Sequence, residues 1–166
     1  MPRGYISIGS NIDKEAHIPC CLNTLNRLFG PLTVSSIYES EAVGFIGNSF
    51  HNLVVGFDSL LDARTVANIL RQIELEHGRS RQSQKFSSRT LDLDLILYGE
   101  QIIDDNGLQI PRQEIEEYAF VLEPLAEIAA DQRHPVSGRS YRDLWQKIDK
   151  DGLKQHKVFP DWLSDK

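Results

Sequence analysis

The chain has 166 residues, 40% hydrophobic and 25% charged, which reads as one globular domain over residues 1–166 with a sizeable core. A net charge of −6 and a pI of about 5.3 argue against a general nucleic-acid binder, which carries a basic face. No N-terminal run resembles a signal peptide and no apolar run spans a membrane. Cys20 and Cys21 are adjacent in an apolar helical pattern, as buried thiols rather than a disulfide framework. The expected form is a cytoplasmic monomer with no nucleic-acid or membrane partner.

In chain order, Tyr5-Ile6-Ser7-Ile8 is a short apolar strand, and Gly9-Ser10-Asn11 is a turn whose small polar residues suit a helix cap. Ile18, Cys21, Leu22, Leu25, Leu28 and Phe29 recur at helical spacing. Pro19 is tolerable if that helix begins only a residue or two earlier, and Gly30-Pro31 ends it. Residues 32–40 read as one strand, 41–49 as a loop and 50–57 as another strand. Asp62 caps a second helix with Ala63, Val66, Leu70 and Ile73 on one face, and Gly78 stops it. A basic segment, 79–89, leads into a strand, and residues 101–110 look like a hairpin before Pro111. Helices follow over 120–129, with Leu122, Leu125 and Ile128 inward, and from Ser140, with Tyr141, Leu144, Trp145 and Ile148. The tail after Gly152 has no clear period. The order β-α-β-β-α-β with a helical appendage predicts an α+β, ferredoxin-like fold: a mainly antiparallel sheet with helices packed on it, in three α/β/α layers.

The chemistry concentrates in Arg89-Thr90-Leu91-Asp92-Leu93-Asp94-Leu95-Ile96-Leu97-Tyr98. Alternation puts Leu91, Leu93, Leu95 and Leu97 on one face of a strand and Asp92, Asp94, Ile96 and Tyr98 on the other. Such a strand is apolar enough to be central. Asp-x-Asp alone is a common tripeptide that an exposed edge strand carries without function. The flanks change that. Two carboxylates side by side need positive charge between them. Hard oxygen donors without His or Cys suit Mg²⁺, completed by substrate phosphates. Arg79, Arg81, Lys85 and Arg89 lie just upstream in a segment rich in Ser and Gln. As a bland feature this is a solvated loop; beside the aspartates it is a phosphate grip, because arginine forks match phosphate oxygens. Phe50 and Phe120 by themselves are core-type aromatics. Asn52, inside an apolar strand, must satisfy its amide on backbone or on a planar heterocycle. Glu74 is either a solvated helix residue or a support for the arginines that follow.

The stretches YISIGSN, VSSIYESEAVG, FHNLVVGF, IELEHGRSR, RTLDLDLILYG and FVLEPLAEIA run collinearly from Tyr5 to about Pro135. In this order they resemble the 6-hydroxymethyl-7,8-dihydropterin pyrophosphokinases of folate biosynthesis; GR-x-R followed by R-T-L-D-L-D-L is the most specific part. The resemblance implies transfer of the terminal pyrophosphoryl group of ATP to the pterin hydroxymethyl, giving AMP. It implies two Mg²⁺ ions on Asp92 and Asp94, and a triphosphate gripped by Arg79, Arg81 and Arg89. Further ATP contacts are implied at Glu74, Leu95, Leu108, Gln109 and Arg112. The pterin is expected between Phe50 and Phe120, read by Asn52, with Ser40, Glu41, Val43 and Gly44 completing the pocket. The chain departs from the family pattern at Arg112, where His is usual, and at Tyr118, where Arg is usual. Gln82 and Phe86 depart within the basic segment. Arg112 offers a cation from the His position. The alternatives are a paralogue of weak or altered activity that binds pterin or nucleotide, and a ferredoxin-like nucleic-acid module, which the acidic balance disfavours.

Overall fold

A computed structural model of the chain describes residues 1–40, 49–78, 91–151 and 153–162. Its main sheet has the order β5 (Asp92–Tyr98), β1 (Arg3–Ser10), β4 (Phe50–Asp58), β3 (Ile37–Ser40), β8 (Gln155–Val158), and β2 (Thr33–Val34) also pairs with β4. Every pairing is antiparallel. Helices α1 (Lys14–Phe29) and α2 (Ala63–Glu76) cover one face, burying Ile18, Leu22, Leu25, Val66, Leu70 and Ile73 against Ile6, Ile8, Leu53, Val55, Leu93 and Leu95. Helices α4 (Ala119–Ile128) and α5 (Tyr141–Lys147) cover the other, burying Val121, Leu122, Leu125 and Tyr141 against Tyr5, Val54, Ile96 and Leu97. The α+β class and the three layers agree with the sequence reading. A small hairpin of β6 (Ile103–Asp105) and β7 (Leu108–Ile110) turns on Asn106 and Gly107, both at positive φ, as a tight Asn-Gly turn requires. One further short helix, α3 (Glu114–Glu117), precedes α4.

Asp62 caps α2 through the Thr65 N–H at 2.8 Å, and Ser140 caps α5 through the Asp143 N–H at 3.1 Å, both as their residue types suggest. Other expectations need correction. Gly9 and Ser10 lie in β1 and do not cap α1; Asp13, in the left-handed region, precedes that helix without a side-chain cap bond. Because α1 starts at Lys14, Pro19 lies inside it, where it removes one backbone donor. Leu28 of that helix is exposed, and so is Cys20, while Cys21 is buried. The strand expected over 32–40 breaks at Ser35, whose hydroxyl accepts the Val54 N–H at 2.9 Å, and at Ser36, whose N–H goes to the Glu127 carboxylate at 3.1 Å. Ser35 keeps one backbone bond to β4, its N–H donating to Val54 O at 3.0 Å, while side chains serve the Val54 and Ser36 N–H groups. The tail, without a period, supplies β8.

The aspartate strand differs in two ways. It is the edge of the sheet rather than a central strand, and its apolar character comes from helices covering both faces. A bulge also interrupts its alternation: Tyr5 pairs with Leu97 but Ile6 with Leu95. The extra residue turns Leu97 to the α4 side with Ile96, and Tyr98 to the α1/α2 side. Among the described residues no helix is long and apolar enough to cross a membrane.

Candidate active site

The register of β1 organises the site. Gly9 pairs with Asn52 on one side and with Asp92 on the other, and Ser7 pairs with Val54 and Asp94. Directly opposed residues of antiparallel strands share a face. Tyr38 pairs with Asn52 and Ser40 with Phe50 on that same face. One sheet face therefore carries Ser40, Phe50 and Asn52 at one side and Asp92 and Asp94 at the other. The two groups are two strand spacings apart, about 10 Å. Gly9 is the gap between them. A Cβ there would stand 3.0 Å from Asn52 Oδ1 and 3.8 Å from the Phe50 ring, so only glycine leaves the surface open.

Asn52 is buried, and its Nδ2 donates to Ser40 Oγ at 2.9 Å. That bond fixes which edge of the amide is presented. Phe50 and Phe120 are both half-buried. Phe120 sits in the first turn of α4, and its ring stacks on Tyr118 with centroids 4.9 Å apart and planes 20° apart. Tyr118 thus backs the Phe120 ring as an aromatic support.

At the other side, Asp92 and Asp94 are half-buried on β5. Between them the Leu93 N–H donates to Glu74 Oε2 at 2.8 Å. Glu74 is buried rather than solvated, and it joins α2 to the aspartate strand. Arg112 follows β7, and its N–H donates to Ile96 O at 3.0 Å, which brings it alongside β5. Its guanidinium holds Glu114 through two bonds, at 2.8 and 3.1 Å. Half-burial pulls its pKa down, but the bond to Glu114 and the charges of Asp94, Glu114 and Asp92 outweigh it and hold the group above its ordinary value. Among the described residues, Arg112 is thus a cation held in place by Glu114 and near enough to Asp94 and Asp92 to feel their charge.

The donor set on β5 is two hard oxygen ligands on one face. Among the described residues no group of three His, Cys, Asp or Glu side chains is arranged to hold a metal. Two carboxylates of this kind could contribute to holding a hard divalent ion. Leu95 and Leu108 pack in the core on the α1/α2 side, and Gln109 is exposed on the small hairpin. The structure does not bring these three to the aspartate face. Glu41, Val43, Gly44, Arg79, Arg81, Gln82, Phe86 and Arg89 lie outside the described residues. Sequence reasoning missed Gly9 as the gap, although its position beside a strand end was a signal. It also missed Glu114, two residues beyond Arg112, and Glu127, which binds Ser36 just before β3 and Tyr38 on it.

Residues 5–130 match the family model for 7,8-dihydro-6-hydroxymethylpterin-pyrophosphokinase (HPPK). The chain is 36% identical over 161 residues to a Pseudomonas aeruginosa 2-amino-4-hydroxy-6-hydroxymethyldihydropteridine pyrophosphokinase, covering 93% of this chain and 97% of that protein. It is 34% identical to a Pneumocystis carinii folic acid synthesis protein over 87% of this chain, which is 20% of that longer protein. A crystal structure of a Plasmodium falciparum HPPK-DHPS triple mutant superposes with a TM-score of 0.75 at 12% identity, covering 96% of this chain and 45% of that chain, and supports the fold. By these matches the chain belongs to the 7,8-dihydro-6-hydroxymethylpterin-pyrophosphokinase family, the ATP-using pyrophosphokinases of folate biosynthesis.

Proposed function

We propose that this chain transfers the terminal pyrophosphoryl group of ATP to the hydroxymethyl oxygen of 6-hydroxymethyl-7,8-dihydropterin, releasing AMP. The observation that carries the reading is the row Asn52–Gly9–Asp92 across three strands. It sets a heterocycle-reading amide and a carboxylate pair at the two ends of a gap that a pterin and its hydroxymethyl arm would fill. Phe50 and Phe120 hold the pterin ring, Asn52 reads its edge, and Ser40 fixes the amide, with Glu41, Val43 and Gly44 completing the pocket. Asp92 and Asp94 would hold two Mg²⁺ ions, which when bound would supply charge neutralisation for the transferred group and a lower pKa for the alcohol.

Everything else falls to the chain's own groups. Arg79, Arg81 and Arg89 grip the triphosphate, and Arg112 adds the cation that the usual His would supply. The pterin oxygen attacks the β-phosphorus in line, and the bond from that phosphorus to the α–β bridging oxygen breaks. The alcohol loses its proton without requiring a separate protein base, and Asp94 is the group best placed to assist. Glu74 keeps β5 in place through Leu93 while this happens. Both substrates are small and polar, and Cys20 and Cys21 are free thiols, in keeping with a cytoplasmic monomer.

AMP formation from ATP, Mg²⁺ and the reduced hydroxymethylpterin tests the reading. Wild-type protein should form AMP, and Asp92→Ala should not. A second reading, a pterin- or nucleotide-binding paralogue of weak turnover, draws on Tyr118, whose ring is committed to Phe120. Calorimetric pterin binding without AMP formation selects it.

A further inference from the structure

We infer that Gln155, in the tail beyond the family match, is a positioning residue for the pterin pocket, setting the first turn of α4, and with it Phe120, against Ser40 on β3. The inference rests on the proposed pterin site. Three observations meet at this residue. Gln155 pairs in register with Ser40 in the β3–β8 ladder. Its Nε2 donates to Ala119 O at 3.0 Å and to Glu123 Oε1 at 2.8 Å. Ala119 immediately precedes Phe120, and Ser40 is the partner that holds the Asn52 amide.

The chemistry of the contact is selective. A side-chain amide nitrogen carries two donors and no acceptor, and here it meets one backbone carbonyl and one carboxylate. A carboxylate in the same place would face two acceptors. An apolar side chain of equal length would leave both without this donor.

Helix α4 has need of the contact at that end. Its N-cap, Tyr118, makes no side-chain cap bond. Further along, Glu127 fastens the helix to β3 through the Ser36 N–H and the hydroxyls of Ser36 and Tyr38. Glu123 lies one turn nearer the N-terminus and reaches the sheet through Gln155. Among the described residues, Gln155 is the link from β8 to the turn that carries Phe120. First turns fray when they are not fastened, and a stacking ring must be held close to its bound position before the ligand arrives. The tail strand therefore sets pterin affinity without touching pterin.

The test compares wild type with Gln155→Ala, Gln155→Met and Lys157→Ala, the last on the same strand but facing Tyr38. Calorimetry with oxidised 6-hydroxymethylpterin reads the affinity, steady-state kinetics the two KM values and kcat, and thermal unfolding the fold. Both Gln155 variants should weaken pterin binding and raise the pterin KM about fivefold to tenfold, with the ATP KM, kcat and the melting temperature close to wild type. Lys157→Ala should leave pterin affinity unchanged. Gln155→Met keeps the side-chain volume, so the test stands even where Gln155→Ala does not fold. Unchanged pterin affinity in Gln155→Met overturns the proposal. So does an equal loss in both KM values and in melting temperature, which marks a structural contact only. Wild-type protein that binds no pterin overturns the pterin-site reading itself, and this inference with it.

Discussion

The Glu74 carboxylate accepts the Leu93 N–H at 2.8 Å, and Leu93 stands between Asp92 and Asp94. This bond compensates for the position of β5. An edge strand has backbone donors that no neighbouring strand can take, and a buried one left unpaired costs about 1–3 kcal/mol. Glu74 supplies the acceptor from α2, the helix that leads into the arginine segment. Strand and helix are thus fastened to each other beside Asp92 and Asp94.

Glu74→Ala should therefore lower unfolding stability by about 1–3 kcal/mol and raise the Mg²⁺ concentration needed for half-maximal rate. Glu74→Gln keeps an oxygen acceptor and should retain most of both. Urea unfolding and Mg²⁺ titration of the AMP-forming rate check this. Equal Mg²⁺ requirements in Glu74→Ala and wild type would show that the bond does not position the aspartates.

Gly9→Ala places a methyl 3.0 Å from Asn52 Oδ1, inside ordinary contact distance. Asn52 must move, and the gap to Asp92 narrows. The pterin KM should rise by about tenfold, with the ATP KM close to wild type. A change confined to ATP would place the gap on the wrong side of the site.

Much of the fold is legible in the sequence, and the exceptions have physical causes. The Asp92/Asp94 face, the Asp62 and Ser140 caps and the α1 and α2 cores follow from alternation and helical spacing, which local residues determine. The edge position of β5 was not legible, because covered faces give an edge strand the composition of a central one. The bulge at Ile96 depends on the register with Tyr5 and Ile6, which is non-local. Ser35 and Ser36 broke a strand with good β-propensity because Val54 and Glu127 offered them partners from elsewhere in the chain. β8 is polar and pairs with one edge only, so it leaves no apolar pattern. Leu95 and Leu108 were carried over by resemblance, and their side chains pack in the core.

Arg112 gives a third prediction. Its fork is engaged by Glu114, with Asp94 and Asp92 close enough to raise its pKa. Arg112→Ala removes the cation and leaves three carboxylates together. The ATP KM should rise by about tenfold or more, with pterin affinity retained. Arg112→Lys restores the charge but not the two-bond geometry and should recover only part of the loss. Full recovery by lysine would reduce the role to charge alone.

His134 gives the pH dependence. It is buried, and its Nδ1 accepts the N–H groups of Val136 and Ser137 at 3.1 and 3.2 Å, so the folded ring is neutral. Burial holds its pKa below the usual 6.5, with the Glu116 charge pulling the other way. His51 and His77 are displaced downward too, first by burial. The unfolded chain then takes up protons more readily than the folded one. Stability is complete above about pH 6.5 and declines as the pH falls below it toward the folded values. Urea midpoints should be lower at about pH 5.5 than at about pH 7.5, and His134→Asn, which keeps an acceptor near the Nδ1 position, should reduce the difference. A midpoint that rises on acidification would contradict the sign.

The central claim is attack at the β-phosphorus by the pterin alcohol across the gap between Asn52 and Asp92. Label transfer tests it most directly: ATP radiolabelled at the α- or the β-phosphorus is turned over with Mg²⁺ and the reduced hydroxymethylpterin, and the products are separated. The account predicts β-label in the pterin product, α-label in AMP, and neither transfer with Asp92→Ala. ADP as the nucleotide product, or β-label that never reaches the pterin, would contradict it.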